Sequence, residues 1–372
     1  MIEQRTKLAA RSKADSEMHG IADNVPSRKS ASESQLPVFQ QEWWRSVVAR
    51  TPGYRENTVV REKQVVGTLP YLLKSRLGVR VGAIPWSNLT GPIIADARLS
   101  EVDRIRVVDE LVKGIPPHVS MRYMFDSDDP NASLYVSIFE KAHFAFEIER
   151  NFREPPDASD VFKRVVRRHK NPINQAMKHL DIVDVGPEFF TRFYASNLEW
   201  RGRALRADIS IATDLLSEGL RRGQTRIRAA RSKSVNGDGE YVYHAAVATA
   251  EDRTRVFGWM LSYHRPPHGC PLPNGCRGAT RYLFLDAVAY AKRRGLVFDV
   301  NGAPTSAHME NFVEIIGVTK QVDRFVMVRR NFINSAYVGG KRLFLAAWSP
   351  MYKQVHTMGG QHQKESRNLA SK

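Results

Sequence analysis

Apolar positions along the chain change period several times, and each change marks an element. Val102, Ile105, Val108, Leu111 and Val112 recur at helical spacing, which predicts a helix over Leu99–Gly114 with Ser100 as its cap. Ahead of it, Leu36–Pro52 reads as a short helix bearing Trp43 and Trp44. Asn57–Leu73 reads as two strands joined by a charged turn, and Val79–Ile94 as extended chain. Val119–Phe125, Leu134–Phe139 and Phe144–Ile148 are short β-branched and aromatic runs and are predicted strands. Glu154-Pro155-Pro156-Asp157 breaks the pattern. Beyond it Ser159 caps a basic helix that runs to about Leu180 with a kink at Pro172. A strand at Ile182–Val185 follows, then helices over Pro187–Arg201 and Asp208–Arg222. Three strands come next (Thr225–Arg231, Tyr241–Thr249, Arg255–Tyr263), the first two joined by the turn Asn236–Gly239. The Pro/Gly loop His264–Gly278 leads to a helix over Thr280–Arg294 closed by Gly295. A strand at Leu296–Val300, a short helix around Met309–Ile316 and a strand at Val322–Arg329 complete the set. The second half therefore reads β-α-α-β-β-β-α-β-α-β, and no repeat of fixed period interrupts it.

The chain has 372 residues, 42% of them apolar, enough for a core. Two cysteines exclude a disulfide scaffold and point to a reducing, cytoplasmic setting. No apolar run approaches the length of a membrane helix, and Met1–Gln35 lacks the apolar stretch of a secretory signal. Charge is the outlier: 56 basic against 39 acidic residues, net +17. The excess sits in the body, with eight basic and three acidic residues in Arg150–Leu180 and nine and three in Arg201–Lys233. Lys320–Arg342 has six and one. Such a balance favours phosphates, nucleic acid, an anionic membrane surface or an acidic small molecule as partner. Neither G-x-S-x-G, nor a Walker A loop, nor G-x-G-x-x-G occurs, which argues against a serine hydrolase and against a P-loop or dinucleotide core.

The order of elements and several local runs resemble the FemAB-like group of the GNAT acyltransferase superfamily, including its BioF2-like acetyltransferase branch. In the first half the runs are Trp43-Trp44, Val66–Leu72 with its Gly67 and Pro70, and Thr90-Gly91-Pro92-Ile93-Ile94. In the second half they are Phe162–Ala176, Gly186–Tyr194 and Tyr282–Ala291 leading into Gly295–Gly302. Phe312–Gly317 stands where the group often has a lysine-aromatic-glycine segment, but Val313, Glu314, Ile315 and Ile316 precede Gly317 here. The resemblance implies an α/β (α+β) chain of two tandem GNAT-like domains, each a mixed, mostly antiparallel twisted sheet flanked by helices. The expected divisions are a disordered tail at 1–35, domains at 36–153 and 154–348, and a polar tail at 349–372.

It also implies direct attack of an amine on an activated acyl carbonyl in a ternary complex, with acyl-CoA as co-substrate. Such chemistry needs a grip on the pyrophosphate, a path for the amine proton and a donor for the oxyanion. For the pyrophosphate, Arg277, Gly278, Ala279, Thr280 and Arg281 stand at a predicted helix start, where first-turn amides and the helix dipole attract anions. For the chemistry, Asp299 and Asn301 end a strand, Asp299 being a candidate to orient the amine or to act as a base through water and Asn301 to hold a carbonyl; His308 and Glu310 follow as further candidate bases. Trp259, Tyr263 and Tyr243, with Trp200 on the preceding helix, are candidates to line an acceptor pocket; Tyr194 and Arg201–Arg203 are expected over it. The acceptor is an amine on a small molecule or a peptidoglycan precursor. Two other readings stand beside this one: an aminoacyl transferase drawing on charged tRNA, and a non-enzymatic basic module binding polyanions. His264, His268, Cys270 and Cys276 fall within thirteen residues, but their spacing is not that of paired zinc knuckles, and no metal is expected.

Overall fold

The computed structural model describes residues 36–330 apart from 77–78, 83, 85, 97, 117–118, 159, 204–207, 237–238, 264–274, 302–314 and 319. A 3-10 turn at Val38–Gln40 leads into α1 (Glu42–Val48), which buries Trp43 and Trp44. The strands β1 (Tyr54–Arg61) and β2 (Gln64–Leu72) form a hairpin over Glu62 and Lys63, both in left-handed conformation, as a two-residue turn of matching twist requires. β3 (Lys74–Arg76), β4 (Val79–Gly82) and β5 (Ile93–Ile94) are short. In α2 (Glu101–Lys113) the Ser100 hydroxyl accepts from the Asp103 N–H at 3.1 Å, closing the first turn. Its buried stripe is Val107, Val108, Leu111 and Val112, so Val102 and Ile105, which share the spacing, lie exposed.

β6 (Val119–Asp126) is followed by α3 (Ala132–Lys141), where the sequence predicts a strand at Leu134–Phe139. The burial of Ala132, Tyr135, Ile138 and Phe139 has helical spacing, and it overrides the β-favouring composition. β7 (Ala145–Glu154) ends at the predicted break. The predicted basic helix is two helices. α4 (Val161–Arg164) is capped by Asp160, whose carboxylate accepts from the Phe162 N–H at 3.0 Å, and α5 (Arg167–His179) runs through Pro172. Then come β8 (Leu180–Asp184), α6 (Pro187–Trp200), α7 (Ile209–Arg221), β9 (Thr225–Val235), β10 (Tyr241–Glu251) and β11 (Arg255–Tyr263). α8 (Gly275–Arg293), β12 (Val297–Asp299) and β13 (Lys320–Arg329) complete the order.

The result is a mixed, mostly antiparallel α/β fold. β1, β2 and β5 make a three-stranded sheet; the other strands make one of ten, in the order β3-β4-β6-β13-β7-β12-β11-β10-β9-β8. The last strand thus lies between β6 and β7 of the first half, antiparallel to both. β12 in turn joins β7 to the parallel neighbour β11.

Charged side chains lock this junction. Asp126 of β6, Arg153 of β7, Asp299 of β12 and Arg324 of β13 are all buried. Arg153 bridges Asp126 at 2.5 Å and Asp299 at 2.8 Å, and Arg324 bridges Asp299 at 2.8 Å. Buried ions cost several kcal/mol each unless paired, so a slipped register in any of the four strands would strand a charge.

Candidate active site

β11 and β12 run side by side for only three rungs: Arg255↔Val297, Val256↔Phe298 and Phe257↔Asp299. Gly258 permits one last close approach, since a Cβ there would lie 3.0 Å from the Val300 carbonyl oxygen. From there to Tyr263, β11 pairs with β10 but with no strand on its other side among the described residues. The described parallel pairing therefore ends at the carboxyl side of the two strands, the wedge position at which open α/β sheets place their ligands.

Three features mark the mouth of this wedge. The first is a β-bulge. Met260 pairs with Ala248 and Gly258 with Thr249, leaving Trp259 as an extra residue in β11. Bulges re-aim side chains and locally release the ladder. The second is Asn301, in left-handed conformation (φ 54°) just past β12. Its Oδ1 accepts from Arg324 Nη1 at 2.9 Å, and its N–H donates to Asp299 Oδ1 at 2.8 Å. A guanidinium only donates, so the amide oxygen must face Arg324 and the Nδ2 group must be the free end. That NH2 is buried and has no partner among the described residues. The third is a segment of the first half, Trp86–Asn88. The Trp86 carbonyl accepts from Trp259 Nε1 at 3.0 Å, and Asn88 Nδ2 donates to the Asn301 carbonyl at 3.4 Å. Trp86 itself holds φ at 63°, costly for a bulky residue, and its indole N–H is buried without a partner among the described residues.

Asp299, expected as a base, is occupied otherwise. It is fully buried, and Oδ1 accepts from Asn151 Nδ2, the Asn301 N–H and Arg324 Nη2, each at 2.8 Å, while Oδ2 accepts from Arg153 Nε at 2.8 Å. Burial pushes its pKa up, but Arg324 and Arg153, with the bonds from Asn151 and Arg153, pull harder, so the carboxyl sits below its ordinary value. Its place in this structure is to fix Asn301 and Arg324.

The residues of the expected pyrophosphate cradle, Arg277–Arg281, lie within α8 as described. α8 is described from Gly275, ahead of the predicted start at Thr280, and residues 264–274 before it lie outside the described residues. Gly278 serves a helix crossing: a Cβ there would lie 1.9 Å from the Pro172 carbonyl oxygen of α5. Ala279 is buried, Thr280 half-buried, and Arg281 has an interaction partner of its own. The side chains of Arg277 and Cys276, and the whole of His264, His268, Cys270, His308 and Glu310, lie outside the described residues.

The acceptor residues divide between two faces. Trp200, 46% exposed at the end of α6, meets Tyr263 edge-on at 6.3 Å, and the Arg201 guanidinium lies 5.5 Å over the Tyr263 ring. Asn197 Nδ2 donates to the Tyr263 carbonyl. Tyr243 instead packs on Phe189 at 4.5 Å, and Trp259 on Trp44 at 4.7 Å. Tyr194, 6.3 Å from Trp86, has a hydroxyl that burial holds above its usual pKa despite Arg201 and Arg203, which makes it a poor base. Much of the basicity of Arg201–Lys233 is spent on ion pairs: Arg221 and Arg222 with Glu218, Arg226 with Asp286, Arg228 with Asp184. A cavity of about 860 Å³ lies along the edge strand β8 against α8, and neither Trp259 nor Asn301 lines it.

No family model matches the chain, and no curated protein matches it. Among solved structures, that of FemX aligns over 80% of this chain and 94% of its own, at 13% identity and a TM-score of 0.50. The fold is similar to that of FemX. A tandem GNAT protein from the clavulanic acid biosynthesis pathway is 13% identical, over 75% of this chain and 83% of that one, with a TM-score of 0.41. L-PGS from Bacillus licheniformis is 11% identical, over 86% and 98%, with a TM-score of 0.47. Among the described residues no group of His, Cys, Asp and Glu is placed to hold a metal ion, and no helix is long and apolar enough to cross a membrane.

Proposed function

We propose that this chain is a GNAT-type N-acyltransferase working at the wedge beyond β11 and β12. The observation that carries the reading is the parallel pair ending at Phe257↔Asp299 with, beside it, the buried Asn301 Nδ2, which has no partner among the described residues. Acyl-CoA, when bound, supplies the activated acyl carbonyl; the wedge is a slot for its extended arm. Its phosphates meet the amides at the amino end of α8, with Arg277 and Arg281 adding charge. Asn301 Nδ2 donates to the acyl oxygen as negative charge gathers there, and Arg324 and Asp299 hold the amide ready so that no reorganisation is needed. The amine comes in past Trp200, Arg201 and Tyr263. With every oxygen of Asp299 engaged, its proton leaves through His308 or Glu310 and water. Small-molecule and peptidoglycan-precursor amines are the acceptors in this reading, and the protein works in the cytoplasm, where peripheral contact with an anionic membrane remains compatible with its charge.

Calorimetric titration with acetyl-CoA and longer acyl-CoAs tests the donor. Saturable binding is expected, and Asn301→Ala should then lower kcat by about 10²-fold with little change in binding. No binding of any acyl-CoA would overturn the reading. The net charge of +17 favours a second donor, aminoacyl-tRNA. That reading requires transfer of label from charged tRNA and binding that weakens steeply with salt. Salt-sensitive binding of uncharged polyanions, with no transfer of any kind, would leave only the non-enzymatic module.

A further inference from the structure

The first half has a divergence of its own. β5 belongs to the three-stranded sheet, whereas β6, reached through α2, belongs to the ten-stranded one. A cavity of about 700 Å³ lies there, with Ile93, Phe125 and Tyr135 among its apolar lining. Its polar wall includes Asp126, Asp128 and Asp129 at and just past the end of β6, Arg104 on α2, Arg153 and Arg255, Lys320 at the start of β13, and Asp96, which is paired with Arg98. Thr254, Arg255 and Val297 also line it, so it meets the amino ends of β11 and β12, opposite to the wedge.

Charge bookkeeping decides what this cleft would take. Asp126 is consumed by Arg153 and Arg255, and those two arginines by Asp126, Asp128 and Asp299. Four groups keep unused capacity. Asp128, 67% exposed, gives one oxygen to Arg153 Nη1 at 2.7 Å. Asp129 gives one oxygen to the Asn131 N–H at 2.8 Å. Arg104 donates through Nε to the Leu99 carbonyl and through Nη1 to Asn131 Oδ1, leaving Nη2. Lys320 is exposed and has no partner among the described residues. Burial, joined by the neighbouring Asp126 and Asp128, raises the Asp129 carboxyl above its ordinary pKa despite its bonds to Asn131, a crowding that an added cation relieves. A metal ion is a poor candidate, because no group of three ligating side chains gathers among the described residues. A polyanion would meet the carboxylates.

We propose that this cleft is a second binding site, for a small zwitterion of the α-amino-acid class, its ammonium against Asp128 and Asp129 and its carboxylate against Arg104 and Lys320. The ligand's side chain lies over Phe125 and Tyr135. The site is independent of the transfer reaction at the wedge and stands or falls by itself.

Ligand-observed NMR on the full chain tests it, with L-alanine, L-lysine and L-phenylalanine as probes. Alanine amide, which lacks the carboxylate, and N-acetyl-L-alanine, which lacks the ammonium, are the controls. At least one free amino acid should saturate, with both capped forms weaker by about tenfold or more, a difference of about 1.4 kcal/mol. Lys320→Gln, at an exposed position, should leave the melting temperature unchanged, Asp128→Asn should lower it through the lost contact with Arg153, and each should weaken binding by a similar factor. Excess acetyl-CoA should leave the amino acid bound. No saturation by any free amino acid, equal binding of the capped forms, binding that survives both substitutions, or displacement by acetyl-CoA would each overturn the proposal.

Discussion

Asp299→Asn separates a base from a scaffold. The carboxylate accepts four hydrogen bonds, three at Oδ1 and one from Arg153 at Oδ2. An asparagine can present only one accepting atom, so whichever way its amide turns, an NH2 faces a donor. In the better orientation the NH2 meets Arg153, and both guanidiniums lose one of the charges that offset their burial, keeping Asp126. Removing one partner of a buried pair costs about 3–5 kcal/mol. For a chain of this size that corresponds to a fall in melting temperature of roughly 4–8 °C. Thermal unfolding followed by circular dichroism reads the shift, and the double variant with Arg324→Gln should lose less than the sum by about 1–3 kcal/mol. The pH dependence carries the same information. The folded carboxyl sits below the unfolded value of about 4. Its stabilisation is therefore complete above that pH and is lost as pH falls through the lower folded value; the variant should lack this acid limb. A melting temperature within a degree or two of the parent, together with loss of turnover, would refute the scaffold role and restore Asp299 as the proton acceptor.

Other outcomes follow from single contacts. Gly278→Ala should cost about 1–3 kcal/mol, because its methyl would sit 1.9 Å from the Pro172 carbonyl oxygen and force α5 and α8 apart; denaturant titration measures this. Ser100→Ala should cost about 1 kcal/mol through the lost cap on α2, by the same measurement. Trp200→Ala should raise the KM for the amine while shifting stability by no more than about 0.5 kcal/mol, since the ring is nearly half exposed; steady-state kinetics beside a thermal melt checks both halves of this.

The alternation of the second half was legible because its strands and helices obey their periods: β9, β10 and β11 fall where the sequence places them. α3 was misread because Leu134–Phe139 is rich in β-branched and aromatic residues, and only the spacing of Ala132, Tyr135, Ile138 and Phe139 betrays the helix. Periodicity is silent on pairing, so nothing in Val322–Arg329 announces a strand seated between β6 and β7. The site divides in the same way. Asn301 could be picked out as the residue ending a strand. The arginine that orients it comes from β13, and Trp86 and Asn88 reach it from the other half, so these partners were hidden with the topology. A tryptophan between prolines and serines in an extended stretch was the one local signal available.

The seat of β13 has a consequence for how the molecule comes into being. During synthesis the first half emerges with an open slot between β6 and β7, its guanidinium and carboxylate groups awaiting Arg324 and Asp299, which the ribosome adds only much later. The sheet is thus completed by contacts far apart along the chain, a topology that folds slowly and keeps apolar edges exposed meanwhile. A polypeptide cut after β7 would release two fragments, neither holding all of its own sheet, and mixing them should restore structure that neither regains alone.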